Sequence, residues 1–226
     1  MKGFSARTKS AGFVASPPLV IGGVIAVIII ILIASGSLKF SGYVKVDDSK
    51  KPQGDQTVTQ TEKPAPTDTP KPAVKLNSES YSDTKYGFSI SYPEGWKVKE
   101  QTNNVNFFKP SATKGGDQAD ALVSVVADDL KDNRDMKLAT IADLHKTFLK
   151  KQFSNAEVTA EKEIKIGELD GYELEFTGMI GSDKMQGRYI VIKGEKYLVA
   201  LIGMANMEFW DSEKANIDAS IQTFKL

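Results

Sequence analysis

The single histidine of this 226-residue chain is the side chain best suited to acid–base chemistry near neutral pH. His145 lies one helical turn after Ile141 and just before Phe148, within an apolar repeat of helical period. A general base needs a nucleophile or a second polar partner, and the chain has no cysteine and no second histidine to supply one. We therefore expect His145 on the surface of a helix, or half-buried there, and not in a catalytic site.

Two segments match the Ser-x-x-Lys pattern of penicillin-recognising enzymes, in which the serine is the nucleophile. They run from Ser82 to Lys85 and from Ser111 to Lys114. That chemistry places the serine at the start of a helix and also uses Lys-Thr-Gly and Ser-x-Asn elements, which this sequence lacks. Both segments fall in predicted loops. We interpret them as chance matches and keep a Ser-Lys hydrolase only as the last of three hypotheses.

The densest acidic cluster follows a predicted strand and consists of Asp128, Asp129, Asp132 and Asp135. It is the only stretch that offers several ligands to a hard cation. An EF-hand loop has its acids at alternate positions around a central glycine, whereas basic residues interrupt this cluster and no glycine is near. The pattern predicts a solvated loop and no metal site.

Composition excludes further classes of site. Without cysteine the chain has no thiolate nucleophile, disulfide or cysteine-based zinc site. The glycine-containing run Lys114-Gly115-Gly116 is too short for a phosphate-binding loop. Since none of these candidate sites is complete, we predict no catalytic residue and no cofactor. Residues 81–226 carry 19 basic and 23 acidic side chains, and this mildly acidic part has no basic stripe to neutralise phosphates. Nucleic acid is therefore not an expected partner.

An uncharged, strongly apolar segment near the N-terminus predicts a single-pass membrane anchor over residues 18–40, since about 20 apolar residues span a bilayer as a helix. Three basic and no acidic residues precede it, so residues 1–17 are predicted to be cytoplasmic and the rest extracytoplasmic, at the cell membrane. The alternative is a cleaved secretory signal, with small residues at Ala34-Ser35-Gly36.

A proline-rich segment over residues 41–80 predicts a disordered linker. From residue 44 onward it has no aromatic side chain, and its low hydrophobicity leaves nothing to offset the entropy of ordering. Fully extended as polyproline II, the 37 residues 44–80 reach roughly 115 Å at about 3.1 Å each, which suits a tether. The repeats Lys63-Pro64 and Lys71-Pro72 also fit a polyproline II ligand, although a spacer is the preferred interpretation.

Residues 81–226 carry the patterns of one folded domain. Alternating side chains predict a hairpin of strands over residues 88–92 and 96–99, followed by two further strands and a helix from about Leu138 to Phe153. Thr140 is the candidate N-cap of that helix. Four closely linked strands must then pair antiparallel, and a last helix follows, with Asn206 or Asp211 as its candidate cap. The prediction is an α+β domain, an antiparallel meander flanked by helices.

Residues 86–96 read Tyr-Gly-Phe-Ser-Ile-Ser-Tyr-Pro-Glu-Gly-Trp, which resembles the opening motif of the PsbP family, the extrinsic-subunit-like domain of photosystem II. The order of elements agrees, and the predicted C-terminal helix ends in a similar Thr223-Phe224 pair. The resemblance implies an α-β-α sandwich shared with a Ran-binding nuclear transport factor, and a habit of binding larger assemblies. The aromatic residues of the motif are interpreted as core and turn determinants.

These observations lead to one functional expectation and two alternatives. We expect a membrane-anchored, extracytoplasmic, non-enzymatic binding module whose partners are the membrane, through the N-terminal helix, and a protein or envelope component. The first alternative is a small-ligand or metal sensor that uses a cleft between sheet and helix. The second is the Ser-Lys hydrolase.

Overall fold

A computed structural model of the protein describes residues 39–40, 74–112, 118–130 and 134–226. The predicted anchor, except for its last two residues, and the predicted linker as far as residue 73 lie outside this part, as do Lys114, Gly115, Gly116 and Asp132. Within the described residues, no helix combines the length and apolarity needed to cross a membrane.

Two helices and ten strands form the described part of the chain. The helices are α1 (Leu138–Gln152) and α2 (Trp210–Gln222). The strands are β1 (Lys39–Phe40), β2 (Tyr81–Ser82), β3 (Ser89–Ile90), β4 (Lys97–Gln101), β5 (Asn104–Pro110), β6 (Gln118–Asp129), β7 (Ser154–Ile166), β8 (Leu169–Ile180), β9 (Asp183–Lys193) and β10 (Tyr197–Asn206).

The main sheet is antiparallel in the order β4-β5-β6-β10-β9-β8-β7, and β1 pairs parallel with the start of β6. The predicted meander of the last four strands is confirmed, because connections of a few residues allow only antiparallel neighbours. Strand β10 lies between β6 and β9, and all its residues after Tyr197 are buried. A strand buried on both faces requires a cover on each side of the sheet.

The helices lie on opposite faces of the sheet. Buried side chains of α1, among them Ile141 and Phe148, belong to one apolar cluster, and Ile217 and Ile221 of α2 belong to another. The short β2–β3 ribbon also packs on the α2 side, through Ile90. The described part of the chain is thus an α-β-α sandwich, and the predicted α+β class is confirmed.

The predicted hairpin between residues 88–92 and 96–99 is wrong. Strand β3 pairs with β2, and its Ser89 exchanges two backbone hydrogen bonds of 2.9 Å with Lys225. Both edges of β3 are therefore used, while β4 pairs with β5. The alternation indicated the strands correctly but could not show which distant segments complete their hydrogen bonds.

The predicted helix caps are also wrong. Helix α1 begins one residue after Lys137 and α2 one residue after Phe209, and neither has a side-chain cap hydrogen bond. Leu138 and Phe209 each pack against an apolar cluster, which sets where the helices begin. Thr140 consequently lies inside the first turn of α1, and Asp211 inside that of α2.

Candidate functional site

An open cleft of about 760 Å³ lies where three separate parts of the chain meet. One wall is the turn of the PsbP-like motif, the second is the end of β5, and the third is the first half of α2. The residues that lead into the domain complete the lining. The lining residues are Val74, Lys75, Pro93, Glu94, Gly95, Trp96, Lys109, Pro110, Ser111, Ala112, Ser212, Glu213, Ala215 and Asn216.

The turn of the motif, residues 93–96, is called the motif turn, and its backbone is held by the conformation of Gly95 and by hydrogen bonds. Gly95 has a φ of +80°, a conformation that residues with a Cβ rarely adopt, and the Trp96 amide donates to the Pro93 carbonyl at 3.2 Å. The chain before the domain holds the turn from outside, since the Glu94 amide donates to the Lys75 carbonyl at 3.0 Å and the Asn77 side chain donates to the Pro93 carbonyl at 3.2 Å. Residues 74–80, which the sequence pattern assigns to the linker, are thus part of the domain surface.

An ion pair joins the other two walls of the cleft. Lys109 Nζ of β5 lies 2.6 Å from Glu213 Oε1 of α2, and Asn216 Nδ2 donates to Glu213 Oε2 at 3.0 Å. The Glu213 side chain is only 4% exposed, whereas that of Lys109 is 42% exposed. Both oxygens of the buried carboxylate therefore have donors. The cleft offers an indole, two proline rings and an already compensated ion pair, which suits binding more than proton transfer.

His145 is buried and lies outside the cleft, so the expectation of a surface or half-buried histidine is wrong. Its side chain faces the sheet, where Nδ1 lies 2.6 Å from the Tyr189 hydroxyl oxygen, and Nε2 has no hydrogen-bond partner. Burial lowers the pKa of His145 to about 4 and raises the pKa of Tyr189. A neutral imidazole enclosed in this way has no access to a substrate.

The residues of the two Ser-x-x-Lys matches have separate surroundings. Ser82 is in β2, where it pairs with Ser89. Lys85 donates to Asn103 Oδ1 at 2.7 Å and lies 4.5 Å from the centre of the Tyr86 ring. Ser111 lines the cleft.

The acidic cluster divides between β6 and the loop after it. Asp128 and Asp129 are the last residues of β6, and Asp135 is exposed in the loop before α1. Within residues 74–112, 118–130 and 134–226, no group of three or more histidine, aspartate and glutamate side chains could hold a metal ion.

A second set of charged side chains forms a network that the sequence analysis did not predict. Buried Glu173 of β8 accepts from Arg188 of β9, and Arg188 also donates to Asp218 of α2. Lys214 pairs with Asp218 at 3.0 Å. Lys214 and Asp218 are four residues apart on α2, but the contacts of Arg188, like the Lys109–Glu213 pair, join residues far apart in the chain, and no spacing rule could have found them. Only the motif turn gave a sequence signal for the cleft.

Comparison with known proteins places the fold. A cyanobacterial PsbP (CyanoP) from Synechocystis sp. PCC 6803 has a similar structure, with a TM-score of 0.52 and 19% identity over 72% of this chain and 99% of that one. The protein PA94 from Pseudomonas aeruginosa gives a TM-score of 0.46 at 13% identity, covering 66% of this chain and 95% of its own. The Saccharomyces cerevisiae Ran-binding protein Mog1p gives 0.44 at 9% identity, covering 67% and 96%.

Among curated proteins, no sequence is similar enough to match. The family model described as "PsbP-like protein" matches residues 21–226, which is most of the chain and includes the motif turn, both helices and every strand of the main sheet. This protein belongs to the PsbP-like family.

Proposed function

We propose that this protein is a membrane-anchored, extracytoplasmic binding module that docks on a protein or envelope assembly through the cleft. The observation that carries the proposal is the convergence of the motif turn, the end of β5 and α2 on one open cleft. Its rims are formed by exposed residues such as Glu94, Ala112 and Ser212, which a partner can reach. The anchor part of the proposal rests on the apolar segment at residues 18–40 and the basic residues before it.

A binding role without catalysis is supported by how the domain uses its polar groups. The buried imidazole of His145 bonds to Tyr189, and the buried carboxylate of Glu173 pairs with Arg188. The cleft carboxylate of Glu213 already has two donors. A catalytic acid or base must reach the substrate proton, and these three groups are committed to internal partners.

The test is a crosslinking pull-down from native membranes with the full chain and two matched variants. Ala112→Arg puts a long charged side chain on the exposed rim of the cleft. Ala160→Arg makes the same change at an exposed position of β7, beside the shallower groove between α1 and β7. We expect the partner to be captured by wild type and by Ala160→Arg and lost with Ala112→Arg. Equal capture by all three proteins would exclude the cleft as the docking surface.

A small-molecule ligand is a second candidate, because about 760 Å³ lies within the roughly 300–1,000 Å³ typical of ligand sites. A ligand that binds only the folded state raises the midpoint of thermal unfolding. The candidate predicts a compound that raises the midpoint of wild type and not that of Ala112→Arg. Equal shifts in both proteins would place that compound elsewhere.

A further inference from the structure

Both described flanks of the predicted linker lie beside the cleft. On one side, Val74 and Lys75 form part of its lining. On the other side, Phe40 of β1 pairs with Ala119 of β6, and Ala119 also pairs with Pro110, which lines the cleft. Two strand spacings of about 4.8 Å put Phe40 on the order of 10 Å from Pro110. The described residues on either side of residues 41–73 therefore lie at the same edge of the domain.

The last part of that segment has the composition of a polyproline II ligand. Residues 63–73 read Lys-Pro-Ala-Pro-Thr-Asp-Thr-Pro-Lys-Pro-Ala. Such segments enter aromatic-lined grooves at little entropic cost, because their backbone is already extended. Pro110 and the small exposed parts of Trp96 and Pro93 supply apolar surface in the cleft.

Charge and chain length favour the same pairing. The exposed carboxylate of Glu94 stands on the rim beside Lys75, and Lys71 is only three residues before Val74, so that the two charges are complementary. Eleven residues of polyproline II extend about 34 Å at roughly 3.1 Å each, which is ample to cross the cleft. A segment linked at both ends also has an effective concentration of about millimolar, so that weak contacts are enough for occupancy.

We propose that residues 63–73 bind in the cleft of their own chain as a polyproline II ligand, and that a partner has to displace them. This inference rests on the proposed function, since it describes the regulation of the same cleft. The segment is then an internal competitor for the docking surface.

The test uses paramagnetic relaxation in the full chain, purified in detergent micelles. The chain has no cysteine, so a single introduced cysteine carries the spin label. With Thr69→Cys labelled, we expect the amide signals of Gly95, Ala112 and Asn216 to be lost by broadening, while that of Gly181 in the β8–β9 turn stays. A label at Thr57→Cys in the same linker is the matched control and is expected to spare the cleft. Broadening at Gly95 that equals that at Gly181, or that persists when Pro70 and Pro72 are replaced with glycine, would overturn the proposal, because Thr69 is five residues from Val74 and tethering alone brings its label near the cleft.

Two further samples complete the design. Replacing Pro70 and Pro72 with glycine keeps the length and removes the polyproline II preference, and we expect loss of the selective broadening. In a mixture of spin-labelled and isotope-labelled chains, broadening at the cleft would show that a second copy supplies the segment, which contradicts binding within one chain.

The same variants separate this inference from the proposed function. If broadening is selective but Ala112→Arg still captures the partner, the segment occupies the cleft and the docking surface is elsewhere. If broadening is uniform while Ala112→Arg abolishes capture, the cleft is the docking surface and the internal ligand is wrong.

Discussion

His145 of α1 and Tyr189 of β9 form a buried hydrogen bond of 2.6 Å between Nδ1 and the phenolic oxygen. Both side chains are at most 1% exposed, and the other imidazole nitrogen has no partner. The bond connects the helix to the sheet at a polar point within an otherwise apolar layer. It works only with a neutral imidazole, since a protonated ring would place an uncompensated charge in the core.

This pair predicts an acid-sensitive stability. The pKa of His145 falls from 6.5 in the unfolded chain to about 4 in the folded one, so the unfolded state binds more protons between these values. As pH falls through that window, the free energy of unfolding should decrease by up to about 3 kcal/mol. Urea denaturation at several pH values from 7 to 4 measures the free energy of unfolding. In the control variant His145→Gln, the decrease of this free energy between pH 6.5 and 5 should be absent. An equal decrease in both proteins would assign the effect to carboxylates.

The charged network on the opposite face predicts a large effect of one substitution. Arg188→Met leaves Glu173 buried, with Lys162 at 3.4 Å as its remaining cation. We expect a loss of about 3–5 kcal/mol in the free energy of unfolding, the usual result of removing one partner of a buried pair. The double variant Arg188→Met, Glu173→Leu should recover most of it, because no buried charge then lacks a partner. A double variant less stable than Arg188→Met would contradict this explanation.

The cleft ion pair predicts a smaller effect of the same kind. Lys109→Met removes one of the two donors to the 4%-exposed carboxylate of Glu213 and should cost about 1–3 kcal/mol, as expected when a buried acceptor loses its partner. Adding Glu213→Gln should restore part of the loss. Chemical denaturation of four proteins, namely wild type, each single variant and the double variant, checks it, and additivity of the two single changes would show that the pair does not couple the walls.

Helix α2 packs directly against Gly203 of β10. A Cβ there would clash with the side chain of Ile217, so Gly203→Ala forces the helix away and should cost about 1–3 kcal/mol. Gly171→Ala is the matched control, since its Cβ would meet its nearest neighbours at 3.4 Å. Thermal unfolding of both variants distinguishes them, and equal midpoints would show that α2 accommodates the methyl group.

The anchor predicts a fractionation result. The full-length product should remain with membranes after carbonate washing and keep its full mass, because the part of the predicted anchor that precedes β1, residues 18–38, is still about long enough to span the bilayer. Mass spectrometry of the washed pellet checks both statements. A mature protein that begins near Ser37 would instead indicate a cleaved secretory signal.

Local patterns were enough to predict much of this domain. The helical repeat from Leu138 indicated α1, and four alternating runs with short connections indicated an antiparallel meander. These signals are reliable because each depends on side chains a few residues apart, whose faces follow from the helix or strand period. The eleven-residue motif over residues 86–96, which contains the motif turn, pointed to the family in the same local way.

The cleft and the polar contacts were decided only by tertiary structure. Lys109 meets Glu213 across 104 positions and His145 meets Tyr189 across 44, and these distances in the chain have no periodicity to read. The wrong hairpin has the same cause, because the partner of Ser89 is Lys225, at the far end of the sequence. The sequence by itself determined the elements and their apolar faces. Tertiary structure decides which polar groups meet, whether the histidine is buried and where a cleft opens, because the sheet brings distant segments together.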